Sequence, residues 1–216
     1  MRLRARAKNE LQHLALNQGV QKKARLWSKA GQKLLRELPL PYWAGQRREN
    51  LLRLMAIFDE QISVLDQAAE KAAQESEMAR LLMTQPGVGP ITSLAFVLTL
   101  GEVTRFQRGK QVANYLGLIP RENTTGGRQR LGSISKQGNG FLRMLLVEAS
   151  HSAVRYDPEF RRYYSRLCHK KPKNVARVAV ARKLAVRLYW MLRSNTAYPE
   201  IVRMESSSGV ALVGAS

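Results

Sequence analysis

The sequence predicts a mainly α-helical protein: a long helical connector followed by a compact helical domain that carries a helix-hairpin-helix element and an irregular glycine-rich loop. Three observations carry this expectation. Apolar residues recur at helical spacing in segment after segment. Glycine and proline gather in a few places, chiefly residues 86–90 and 117–140. Finally, 216 residues with 44% hydrophobic content suffice for one compact domain plus extended helical elements.

The elements follow in order. Residues 3–18 read as a basic amphipathic helix, with Leu11, Leu14 and Leu16 following Arg4, Arg6 and Lys8, and Gly19 at its end. A second basic helical pattern covers 22–38. Pro39 biases its predecessor away from helix and Pro41 blocks an early restart, so 39–45 forms a boundary. Residues 47–82 are the longest uninterrupted helical pattern. Leu51, Phe58, Leu65 and Ala72 recur every seven residues with Leu54 and Ala68 at paired positions, although Gln61 and Glu75 interrupt them. That spacing suits a helical hairpin arm or short coiled coil, and equally a helix packed on its own domain. Further helices are predicted over 91–100, 109–116, 141–155, 159–168 and 174–194. Residues 117–140 hold six Gly amid hydroxyl and basic residues, which argues for a loop or irregular hairpin. Beyond Asn195 the chain turns to Ser, Gly and small apolar residues, and a loose tail is expected. The expected organisation is 1–45 basic helices, 46–80 connector, 81–194 compact domain and 195–216 tail.

Thirty-six Lys and Arg against 16 acids give a formal net charge of +20, far more than solubility requires and self-repulsive without a polyanionic partner. Nucleic acid is the first candidate. Residues 1–50 carry net +9 and 145–194 net +9, flanking a stretch, 51–100, of net −3. No apolar run approaches the roughly 20 residues that span a bilayer, so a membrane role is not expected. A lone cysteine, Cys168, excludes an internal disulfide and is consistent with a cytoplasmic location.

The sharpest local signal is Pro86-Gly87-Val88-Gly89 between apolar helices. Such a turn lets a sugar-phosphate backbone approach the amides opening the second helix, a contact blind to base identity. A plain tight turn between packed helices is the alternative. The second signal is the loop from Gly117 to Asn139. Its candidate DNA contacts are Arg121, Gly126, Arg128, Arg130 and Lys136, with Arg143 just beyond. Guanidinium forks and backbone amides there suit phosphate, and phosphate binding ranks above catalysis because no evident base lies near the hydroxyls. On the last long helix, Lys173, Arg177, Arg182, Lys183 and Arg187 alternate with apolar residues, giving either a phosphate-following or a merely solvated basic face. Arg161, Arg162, Tyr163, Tyr164 and Arg166 form a basic and aromatic cluster that either grips RNA or unpaired DNA or packs on the core. His13, His151, His169 and Cys168 show no ligand spacing, so no metal and no cofactor is assigned to this chain.

Taken together, the glycine turn, Phe106, Tyr115 to Pro120, Thr124-Thr125-Gly126-Gly127, Ser135 to Asn139, Leu142-Arg143 and Ala181-Arg182-Lys183-Leu184 resemble the C-terminal domain of transposases of insertion-sequence family one hundred and ten, which includes Piv-like DNA invertases. The resemblance covers about residues 78–194. It implies a two-part machine: an N-terminal RuvC-like domain with an Asp-Glu-Asp-Asp site using magnesium, a helical connector, and a C-terminal domain with a serine nucleophile close before a glycine. On that resemblance, residues 1–80 correspond to the end of the first part plus the connector, and the family's serine falls at Thr124 or Thr125. Threonine keeps the hydroxyl but adds a methyl at the carbon bearing it. The resemblance further implies DNA as substrate, oligomers formed through the connector, and a structured guide RNA. With only Asp59, Asp66 and Asp157 as aspartates, the chain is expected to be inactive alone. The alternatives are a non-catalytic fragment or regulator, and one half of a split recombinase.

Overall fold

The computed structural model describes residues 2–21, 25–122 and 131–207. Among them lie ten helices and one two-stranded sheet, a mainly α fold. The chain forms two compact units dividing between Ala68 and Ala69.

In the first unit, α1 (Arg2–Asn17) buries Ala7, Leu11 and Ala15. α2 (Lys29–Glu37) starts at Ser28, whose hydroxyl accepts from the Gly31 N–H at 3.2 Å. α3 (Tyr42–Glu75) places Met55 against Ala7 and Leu11, with Leu51 and Leu52 beside it. Arg48 donates to the carbonyls of Leu35 (3.2 Å) and Leu38 (3.0 Å), satisfying acceptors that the end of α2 leaves over. The seam expected every seven residues is only half realised. Leu51 faces α1, whereas Leu65 is exposed and joins Leu54, Ile57 and Val64 in an uncovered apolar stripe.

The single helix expected over 47–82 is two helices. Ser76 adopts an extended conformation (φ −88°, ψ 115°) and its hydroxyl accepts from the Ala79 N–H at 3.3 Å, capping α4 (Glu77–Met83). A serine side chain that can replace the helical hydrogen bond makes such a break inexpensive.

In the second unit, α4, a 3-10 turn (Val103–Arg105), α6 (Gly109–Tyr115), α7 (Gly140–Tyr156) and α8 (Pro158–Cys168) surround α9 (Lys173–Ser194), and α5 (Pro90–Leu100) packs on α4 and α7. α9 is buried on every side along much of its length, with Ala176, Ala181 and Ala185 allowing neighbours close and Val180, Leu184, Leu188 and Met191 filling the core. Of the basic face expected along α9, Lys173 and Arg182 are exposed, but Arg187 does not belong to it, because it is 0% exposed. Its guanidinium pairs with Asp157 at 2.7 Å and with Glu159, and stacks over Phe160 at 4.3 Å. Asp157 also caps α8, accepting from the N–H groups of Glu159 (2.8 Å) and Phe160 (3.2 Å). A buried charge with such partners is tolerated, and removing one partner is costly. Burial pushes the Glu159 carboxyl up, but the Lys183 hydrogen bond and the Arg187 charge outweigh it and hold the group below the usual carboxylate range.

Where a loose tail was expected from residue 195, α10 (Tyr198–Ser207) packs back. Ile201 is buried in the core, and the Tyr198 N–H donates to the Thr84 hydroxyl at 3.0 Å. Burial, and then the Asp157 carboxylate, push the Tyr198 phenol up to about 12. The irregular hairpin expected between Gly117 and Gly140 contains β1 (Pro120–Glu122) antiparallel to β2 (Leu131–Ile134), with Pro120 opposite Ile134.

Candidate nucleic-acid interface

The two glycine-bearing motifs lie along one helix, α7. Gly87 has φ +90°, and a side chain there would meet the Ala153 nitrogen at 2.7 Å and the Ala149 carbonyl at 2.8 Å. Glycine at 87 is therefore required by packing against the α7 backbone. Val88 turns its side chain into the core, and its N–H is bonded to the Gln85 carbonyl at 3.1 Å, so neither is available to a ligand. Gly89 differs from both. It caps α5 with no side-chain hydrogen bond, and nothing lies within 4 Å of where a Cβ would stand. Of the three sequence candidates in this turn, Gly89 alone has the open space that close approach of a phosphate needs.

The second motif meets the N-terminal end of α7. α6 ends with the Leu118 N–H on the Ala113 carbonyl (2.9 Å) and the Gly117 N–H on the Asn114 carbonyl (2.8 Å), with Gly117 at φ +65°. This is the paired arrangement that a left-handed glycine permits. A side chain at Gly117 would strike the Gln137 backbone, and one at Gly138 (φ +69°) would strike the Tyr115 carbonyl. Segments 115–119 and 135–138 are thus stacked backbone on backbone. Asn139 then caps α7, accepting from the N–H groups of Phe141 (3.0 Å) and Leu142 (3.2 Å), while its amide donates to Thr99 at 3.1 Å.

The cations of this loop divide by role. Arg143 donates to the carbonyls of Leu116 (3.1 Å) and Gln137, so it locks the stacked segments. Arg121 is exposed and donates to the Ser135 carbonyl at 3.2 Å. Lys136 is exposed and held at φ +57°, a left-handed backbone that costs a side-chain-bearing residue about 1 kcal/mol or more. Thr124, Thr125, Gly126, Arg128 and Arg130 lie outside the described residues. Between Arg143 and Ser152 α7 rises roughly 14 Å, so the two motifs offer separate contact points.

Residues that sequence reasoning passed over lie beside the second motif. Arg105 stacks over Phe106 (4.5 Å) and Tyr115 (4.7 Å), and Gln111 and Asn114 share one face of α6 with Arg108 nearby. The interleaving of Arg105 and Arg108 with Phe106 and Tyr115 was the available signal. On α8 and the turn after it, Arg161, Arg162, Arg166, Lys170, Lys171 and Lys173 are all exposed, while Tyr163 and Tyr164 are half-buried. Among the described residues no group of three or more His, Cys, Asp or Glu could hold a metal ion. No helix among them is long and apolar enough to cross a membrane.

Residues 79–165 match the family described as Transposase IS116/IS110/IS902, a span covering the glycine turn, α5 to α7, the hairpin and most of α8. The match spans less than half of this chain. The chain is similar to a "Probable family 20 transposase" of Pseudomonas aeruginosa, 33% identical over 74% of this chain and 48% of the relative. It is also similar to the "Transposase for insertion sequence element IS1111A" of Coxiella burnetii, 28% identical over 65% of this chain and 40% of the relative. A "Pilin gene-inverting protein" of Moraxella lacunata is 34% identical over 54% of this chain and 37% of the relative. The chain spans less than half the length of these curated relatives. Within the matched segment, Gly87 and Arg143 are packing residues, and Gly89, Arg121 and Lys136 are the candidates that face outward.

Proposed function

We propose that this chain is the DNA-handling part of an insertion-sequence transposase acting by site-specific recombination. The observation that carries the reading is the placement of two rigid, glycine-hinged surfaces at opposite ends of α7 within the family-matched segment of a chain of net charge +20. Both surfaces address phosphate rather than base identity. The exposed cations of α8 extend the same surface chemistry. The uncovered stripe Leu54, Ile57, Val64 and Leu65 on α3 supports self-association through the connector.

In this reading the hydroxyl of Thr124 or Thr125 is the strand-exchange nucleophile, and a carboxylate site binding magnesium assists from outside the described residues. Asp157 is committed to Arg187 and the cap of α8, and among the described residues no group of three or more His, Cys, Asp or Glu could hold a metal ion. The chain alone then neither cuts nor joins DNA. Incubation with supercoiled plasmid and magnesium, followed by denaturing gels, should show no covalent adduct. When a relative's carboxylate domain is supplied in trans, Thr124→Ala or Thr125→Ala should abolish adducts and Thr→Ser at the same position should raise them. Adducts formed by the unassisted chain, or surviving alanine at both threonines, contradict this assignment.

A further inference from the structure

We propose that the hollow between the 3-10 turn and α6 is a receptor for a single unpaired DNA base, an inference that rests on the DNA-handling reading above. The hollow, of about 520 Å³, falls in the range of small-ligand sites, roughly 300–1,000 Å³. Its floor is aromatic and cationic. The Phe106 and Tyr115 rings lie 5.5 Å apart, and the Arg105 guanidinium covers both. Arg105 is exposed, so its outer plane is presented to solvent, and a guanidinium plane or aromatic face is what an unstacked base stacks on.

The walls carry hydrogen-bonding groups suited to base edges. Gln111 and Asn114 stand three residues apart on α6, and Gln137 closes the opposite side. The Gln111 carbonyl already accepts from the N–H groups of Gln107 (2.7 Å) and Arg108 (3.3 Å), so the side chain offers its amide N–H to a ligand. Asn114 and Gln137 each carry a donor and an acceptor. Immediately beyond, a second hollow of about 380 Å³ shares Gln111 and Asn114 and adds Arg108 and Lys110. The two hollows match one nucleotide, base over Arg105 and Tyr115, phosphate against Arg108 and Lys110.

The site is also preformed. The Phe106 carbonyl accepts from the Tyr189 hydroxyl at 2.7 Å and from Arg193, which pins the 3-10 turn to α9. On the other side Gly138 fits against the Tyr115 carbonyl with no room for a Cβ. Neither wall has to be ordered by the ligand, so little of the stacking energy is lost on binding. The lining reaches Gln137 and Gly138, which follow β2, and a hollow of this kind suits a base displaced when a strand is opened for exchange.

The test compares two labelled DNA duplexes by fluorescence anisotropy at one salt concentration, one fully paired and one with a single unpaired central base. The wild-type chain should prefer the second about tenfold. Tyr115→Ala and Asn114→Ala should each reduce the preference to less than threefold while leaving paired-duplex affinity within twofold, and Tyr115→Phe should retain it. Asn114 is exposed, so its variant keeps the test valid if Tyr115→Ala lowers the melting temperature. Equal wild-type affinity for the two duplexes overturns the base receptor but not the DNA reading. Absence of binding to either at low salt overturns both. A preference that survives both alanine variants, or that appears only with RNA strands, also overturns the proposal.

Discussion

Near the C-terminal end of α7, Gly87 is closed against the helix backbone while Gly89, two residues on, is open to solvent. At the N-terminal end, Gly117 and Gly138 are both closed against neighbouring backbone, and Arg143 ties the stacked segments together from within. The turn at one end of the helix thus keeps an open glycine, whereas at the other end Gly117 and Gly138 are both closed and a strained lysine, Lys136, stands between them. A glycine in a basic, turn-rich motif serves packing first. Whether it also serves a ligand depends on which side of its α-carbon the next element occupies.

The largest expected effect separates the closed glycines from the open one. Gly87→Ala and Gly117→Ala should each lower stability by about 2–4 kcal/mol, because a new Cβ meets backbone atoms and a left-handed conformation together. Gly89→Ala should change it by less than about 0.5 kcal/mol. Urea titration of the three variants decides this, and equal losses would dissolve the distinction.

Arg143→Met comes next, with about 1–3 kcal/mol expected from leaving the Leu116 and Gln137 carbonyls without their donor. A variant that kept its stability but lost DNA affinity would instead return Arg143 to the phosphate-binding role expected from the sequence.

The smallest effect has the opposite sign. Lys136→Gly relieves the left-handed backbone and should stabilise the fold by about 0.5–1 kcal/mol. It should also reduce the salt slope of duplex binding by about one, as loss of a phosphate contact does. Stabilisation without a change in slope would make Lys136 a strained residue with no part in binding.

Most helix boundaries were legible because capping residues announce them: Gly101 after α5, Asn139 before α7, Asp157-Pro158 before α8 and Asn195 after α9. The break at Ser76 was not, since one serine inside a long helical pattern gives no warning that its hydroxyl will take over a backbone bond. Burial of Arg187 was equally hidden. Its spacing matched a basic face, and its partner Asp157 stands thirty residues away, so only the packing of α8 on α9 brings the two together. α10 was missed because one buried side chain, Ile201, and a hydrogen bond to Thr84 anchor it rather than strong periodicity. In the candidate site, the turn at 86–89 was legible as a motif, but the opposite fates of Gly87 and Gly89 depend on α7, which lies sixty residues on.

The central claim is that this chain holds DNA by its phosphates, with the Gly89 turn as one contact point. It is tested most directly by titrating duplex affinity against salt for the wild-type chain and for Gly89→Val. The account predicts that log K falls steeply and linearly with log salt concentration for the wild type. It also predicts that Gly89→Val binds several-fold more weakly with an unchanged melting temperature. A flat titration, or a Gly89→Val variant that binds as tightly as the wild type, would contradict it.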